Sequence, residues 1–218
     1  MSTGAPCSIV VLISGSGSNL QALLNHFADS NTAKISAVIS NKSDAFGLQR
    51  AARAAIPNHV LSHRDYPDRL AFDQALIEVI DQYQPDLVVL AGFMRILTPE
   101  FTHHYQARLM NIHPSLLPKY KGLDTHQRAL DAGDTEHGCS VHFVTEHLDG
   151  GPVIIQARTA IAAHDTADSL AQKIHQLEHQ IYPLAVQWFA EGRLQLADDH
   201  VVLADRQSTR LNSSHQIC

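Results

Sequence analysis

The chain has 218 residues, 44% of them hydrophobic, and carries 16 Lys and Arg against 22 Asp and Glu, a formal net charge of −6. That length is enough for one domain with a core of its own, with no need of disulfide staples. The acidic balance, without a Lys/Arg stripe, argues against nucleic acid as the main ligand. Cys7, Cys139 and Cys218 form a sparse, odd set that fits a reducing compartment. The first apolar run has no basic residue ahead of it and is too short for a signal sequence or a membrane span. The expectation is therefore a cytoplasmic protein that engages no membrane.

Residues 8–13, SIVVLI, form a continuous β-branched run that ends in the small residues of GSGSN at 15–19. A helical pattern through Leu20, Leu23, Leu24 and Phe27 follows, so the order is strand, glycine turn, helix. Residues 35–40 and 86–91 repeat the buried-strand character, with helical stretches at 46–55 and 67–83 between them. Alternating units of this kind predict a mostly parallel, twisted α/β sheet with helices on both faces. Later strands are expected at 109–112, 140–145 and 153–159, and a closing helix over 167–190 that Gly192 stops. With no internal repeat or linker, residues 1–207 read as one domain. Residues 208–218 have no periodicity and read as a non-native tail.

Three places could carry chemistry. The glycine turn, with a helix N-terminus behind it, is a potential phosphate cradle, although it lacks the P-loop lysine and the third glycine of a dinucleotide fingerprint. A tight turn without a ligand is the plainer alternative. In Asn111-Ile112-His113 the amide and the imidazole alternate across Ile112 at a strand end and so point to one side. That pair suits a reacting carbonyl, the amide donating to a developing oxyanion and the histidine acting as cation or general acid. A structural histidine is again the alternative. Asp149 precedes Gly150-Gly151-Pro152, where it could open a local turn or stand beside a histidine, favour its protonated form and relay protons.

The chain has 15 histidines, so a metal has to be weighed. His175-Gln176-Leu177-Glu178-His179 matches an inverted zinc-peptidase pattern, but it is short and no further acidic ligand stands out. His137 to His142 reads better as a strand, with Ser140 and His142 facing one way and Val141 and Phe143 the other. His103, His104 and the remaining histidines are expected at the surface or as helix caps. No metal is expected.

Taken in order, ISGSGSNLQ at 13–21, AGFMRIL at 91–97, NIHPSLLP at 111–118 and HGCSVH at 137–142 followed by LDGGP at 148–152 resemble the phosphoribosylglycinamide formyltransferases. The likeness runs from about residue 9 to 196. It implies the Rossmann-like formyltransferase fold and transfer of the formyl group of 10-formyltetrahydrofolate to the glycyl amine of glycinamide ribonucleotide, in purine biosynthesis. By the same resemblance Asn111 would bind the formyl oxygen. His113 would be proton donor and oxyanion partner, and Asp149 would favour the protonated His113 and help move the proton.

The resemblance also assigns substrate contacts. Gly17, Ser18 and Asn19 would hold the ribonucleotide phosphate and Glu178 would contact the ribonucleotide, so the zinc-like pattern becomes a substrate contact. Arg69, Met94, Arg95, Ile96 and Leu97 would surround the folate, together with Asn111. Thr145, Glu146, His147, Leu148 and Asp149 would close over it. An apolar slot with backbone hydrogen bonds at its edges is what a flat pterin needs. Lys121 stands where the family often has proline and Asp124 where it often has histidine, which leaves the loop before His126 open. Methionyl-tRNA formyltransferase and formyltetrahydrofolate deformylase share the Asn-x-His and Asp chemistry. The first carries an extra C-terminal domain and the second an N-terminal regulatory one, and neither is expected here. The oligomeric expectation is a monomer or weak homodimer.

Overall fold

The computed structural model describes residues 5–197, 200–205, 208–213 and 216–217. The chain forms two compact units, divided after Met110. The first opens with β1 (Cys7–Ile13), α1 (Ser18–Phe27), β2 (Ala33–Ser40), α2 (Phe46–Arg53) and β3 (Asn58–Val60). After one turn of 3₁₀ helix come α3 (Arg69–Asp81), β4 (Leu87–Leu90) and α4 (Pro99–His104).

All strand pairs of this unit are parallel, in the order β4, β1, β2, β3. The apolar run explains the central place of β1. Ile9 to Ile13 are each fully buried, which only a strand covered on both faces achieves. Burying each such side chain stabilises by roughly 1.5–3 kcal/mol. Helix α1 turns Leu20, Leu23 and Phe27 inward, and α3 does so with Phe72, Leu76 and Ile80 at helical spacing. The start of α3 is set by Asp68, whose side chain accepts from Ala71 N at 2.8 Å.

The second unit continues with β5 (Leu109–His113), α5 (Thr125–Asp131), β6 (Glu136–Phe143), β7 (Val153–Ala160) and α6 (Ala167–Ala190). Strand β6 lies between β5 and β7 and pairs antiparallel with β7. Helix α6 has a capping box, Thr166 with Ser169, and buries Leu170, Ile174, Ile181, Tyr182 and Trp188. The chain then forms β8 (Leu194–Ala197), β9 (His200–Asp205), β10 (Ser208–Ser213) and β11 (Gln216–Ile217). The first three make a small antiparallel sheet, and β11 pairs with β7. The tail thus takes strand backbone although its sequence has no periodicity, while residues 206–207, 214–215 and 218 lie outside the described ones. No helix among the described residues is long and apolar enough to cross a membrane.

Several elements differ from the sequence expectation. The short β3, α4 and α5 and the strands β8 and β9 were not expected, and β6 begins at Glu136, four residues before the expected start. Gly138 on β6 shows how closely the strands approach: a Cβ there would stand 2.0 Å from the Ala157 carbonyl oxygen and 2.6 Å from Leu116 Cδ2. Gly138→Ala should therefore destabilise the protein by about 1–3 kcal/mol, read as a lowered urea midpoint. An unchanged midpoint would mean that this close approach does not exist.

Candidate active site

Strand alternation puts the Asn111 and His113 side chains on one side of β5, as the sequence suggested, and β6 brings His142 against them. His142 Nδ1 lies 2.8 Å from the Phe143 carbonyl, which can only accept, so this nitrogen carries the hydrogen. Its Nε2 then offers a lone pair, and Asn111 Nδ2 lies 3.2 Å from it. Burial pushes the His142 imidazole below the usual histidine range, so the ring stays neutral and keeps that acceptor. The result is an Asn111 amide whose orientation is set by a neutral histidine, with its second N–H left to bind a ligand oxygen.

His113 is 6% exposed. Its Nε2 lies 2.8 Å from the Tyr120 carbonyl oxygen, and its Nδ1 lies 3.5 Å from Asp149 Oδ2. Both ring nitrogens thus face acceptors, and a doubly protonated ring can donate at each. The longer contact is beyond a tight hydrogen bond, so the carboxylate engages this N–H only loosely. Asp149 Oδ1 also stands 3.8 Å from His142 Nε2. That approach is not an ion pair, because His142 is neutral and shows the carboxylate a lone pair.

Asp149 comes from the turn between β6 and β7. Its Oδ2 accepts from Gly122 N at 2.9 Å, across 27 residues of chain, so the carboxylate braces a distant loop and does not merely open a local turn. The backbone on both sides is strained. Tyr120, Asp124 and Asp149 take positive φ values of 53, 56 and 46°, in a region that non-glycine residues rarely enter.

The loop from β5 to α5 is fixed by polar contacts. Ser140 Oγ accepts from Leu117 N at 3.0 Å and from Gln156 Nε2 at 2.8 Å, and donates to the Ser115 carbonyl at 2.6 Å. Arg128 Nη1 donates to the Lys121 carbonyl at 2.7 Å and stacks its guanidinium 5.3 Å from the Tyr120 ring centre. The open question about Lys121 and Asp124 is thus answered. Lys121 contributes its carbonyl, and Asp124 begins α5 in a left-handed conformation with no side-chain cap bond.

The other site residues predicted from sequence fall as follows. Gly17, Ser18 and Asn19 lie where β1 gives way to α1, with Gly17 at φ 69°. A Cβ on Gly17 would stand 2.6 Å from Gly47 Cα, so both the conformation and the close approach require glycine. Arg50 Nε donates to the Ser16 carbonyl at 2.9 Å and holds the loop. Met94 and Ile96 are exposed, Arg95 is half-buried, and all three follow the carboxyl end of β4. Arg69 is the exposed first residue of α3. Glu178 is 4% exposed on α6, whereas His175 is exposed. Thr145 is half-buried, and Glu146, His147 and Leu148 are exposed.

Two expectations need correction. His142 is part of the cluster and not only a strand residue. His126, expected at the surface, is half-buried, with its Nδ1 3.1 Å from Nε2 of the buried His137. Burial pushes His137 down to about 4. Gly47, Arg50, Tyr120 and Gly122 were missed altogether. Of these, only Gly47 had a readable signal, a glycine in the first turn of a short helix.

Comparison with known proteins points the same way. Residues 7–186 match the family described as Formyl transferase. Phosphoribosylglycinamide formyltransferase of Escherichia coli (strain K12) is 56% identical over 194 residues, which is 88% of this chain and 91% of that protein. The solved structure of the Coxiella burnetii phosphoribosylglycinamide formyltransferase is 54% identical with a TM-score of 0.87, covering 91% of this chain and 93% of that one. Glycinamide ribonucleotide transformylase 1 of Symbiobacterium toebii is 43% identical with a TM-score of 0.90, covering 93% and 96%. The chain belongs to the phosphoribosylglycinamide formyltransferase family, and its fold is the mostly parallel Rossmann-like α/β fold of that family.

The histidine assignments can be tested by nitrogen-15 NMR of the imidazoles. His142 should appear as the neutral Nδ1–H form and remain neutral while exposed histidines protonate, and His137 should remain neutral down to about 4. A charged His142 at neutral pH would contradict the orientation given for Asn111.

Proposed function

We propose that the protein transfers the formyl group of 10-formyltetrahydrofolate to the glycyl amine of glycinamide ribonucleotide, a step of purine biosynthesis. The observation that carries this reading is the convergence of an oriented amide, an imidazole facing two acceptors and a carboxylate on one cluster. Family membership supports it, and no step calls for a metal. The amine nitrogen attacks the formyl carbon and the carbonyl electrons move to oxygen. Asn111 Nδ2 donates to that oxygen as its charge develops, and so does the protonated His113 through Nδ1–H, which Asp149 holds only loosely at 3.5 Å, while Nε2–H stays on the Tyr120 carbonyl. The proton lost by the attacking nitrogen passes to the leaving folate nitrogen with the help of Asp149, through water. The carbon–nitrogen bond to the folate breaks as the carbonyl re-forms, which leaves formylated ribonucleotide and tetrahydrofolate.

The same proposal gives the ribonucleotide phosphate to Gly17, Ser18 and Asn19, with Glu178 as a further ribonucleotide contact. The folate goes to Arg69, Met94, Arg95, Ile96, Leu97 and Asn111, with Thr145, Glu146, His147, Leu148 and Asp149 over it. The αL glycine, the small residues and the start of α1 support the first assignment, since backbone N–H groups at such a turn attract anions. Exposed Met94 and Ile96 support the second, as apolar side chains that a flat ring can cover. We further propose a formyltransferase domain spanning 1–207, a non-native tail at 208–218, a cytoplasmic setting, and a monomer or weak homodimer.

The test is spectroscopic. Purified protein given 10-formyltetrahydrofolate should release tetrahydrofolate only when glycinamide ribonucleotide is also present. Release without the ribonucleotide would make it a deformylase, and no release with both would sink the proposal.

A further inference from the structure

We infer that Asp73 is a positioning residue for the folate-binding segment 94–97, and this inference rests on the reading that the segment meets the folate. The segment leaves the carboxyl end of β4 through Gly92, at φ 75°, and enters α4 at Thr98. Met94 and Ile96 are 67% and 56% exposed and Arg95 and Leu97 are only half-buried, so side-chain burial alone holds its course weakly. Two polar contacts fix it at its ends. At the near end Ser14 Oγ accepts from Met94 N at 2.8 Å and donates to Asn41 Oδ1 at 2.6 Å. At the far end Asp73 Oδ2 accepts from Thr98 N at 2.6 Å.

Asp73 is costly where it stands. It is 1% exposed on the inner face of α3, beside the buried Phe72, and its burial holds the carboxyl above the usual carboxylate range. An apolar residue there would add to the core without that cost. What the carboxylate supplies is an acceptor for Thr98, and that hydrogen bond and the positive neighbours Arg69 and Arg95 oppose burial by favouring the charged form. Both arginines are among the proposed folate contacts. Thr98 is also the N-cap of α4, its Oγ1 accepting from Phe101 N, so fixing Thr98 fixes the exit of the segment as well.

The experiment is steady-state kinetics with each substrate varied, together with thermal midpoints. Asp73→Leu removes the acceptor at similar volume and should raise KM for 10-formyltetrahydrofolate about tenfold, the loss of one such bond, with KM for the ribonucleotide within about twofold. Asp73→Asn keeps an acceptor oxygen and should hold the folate KM within about threefold of the parent. Thr98→Pro removes the N–H from the other side at a compatible φ of −72° and should reproduce the Leu effect if that variant does not fold. An unchanged folate KM in the Leu and Pro variants would overturn the inference, as would an equal rise in both KM values. Failure of the parent protein to transfer formyl at all would instead overturn the function reading, and this inference with it.

Discussion

The hydrogen bond from Gly122 N–H to Asp149 Oδ2 is the contact on which the site depends. It joins two irregular segments, the loop after β5 and the turn after β6, and places a carboxylate 3.5 Å from His113 Nδ1. The Tyr120 carbonyl, two residues before Gly122, takes the other nitrogen of the same ring. One short stretch of loop therefore fixes both the imidazole and its carboxylate partner. Left-handed backbone at Tyr120, Asp124 and Asp149 costs of order 1–3 kcal/mol at each residue. The Ser115, Ser140 and Gln156 network and the stacked Arg128 hold the loop against that cost.

A second layer of control falls on Asn111. An amide in a polar cleft can rotate and exchange its oxygen for its nitrogen, and a side chain that presents the wrong atom cannot donate to an oxyanion. His142 removes that freedom because its tautomer is itself fixed by the Phe143 carbonyl. The chain of cause runs from backbone carbonyl to ring tautomer to amide orientation. Desolvation is what keeps its middle member neutral. In the proposed reaction this pre-organisation would lower the barrier, since the donors need not reorganise as charge develops.

Much of this was legible in the sequence because it rests on periodicity. The apolar run of β1, the helical stripe of α6 and the common side of Asn111 and His113 all follow from spacings of 2 or 3.6 residues. Helices α4 and α5, at 6 and 7 residues, are too short for a stripe to show. The role of His142 was hidden for another reason. Alternation places it on a face of β6 but cannot say which strand lies beside that face. Asp149 illustrates the same limit, because its partner Gly122 lies 27 residues away and no local pattern connects them.

In the proposed mechanism His113 acts on the reacting centre and does not merely support the fold. Single-turnover rapid quench of His113→Ala, with both substrates saturating and their affinities measured separately, tests it most directly. The transfer rate should fall by at least about 100-fold while ribonucleotide affinity changes little. A rate close to that of the parent, with the substrates bound normally, would contradict it.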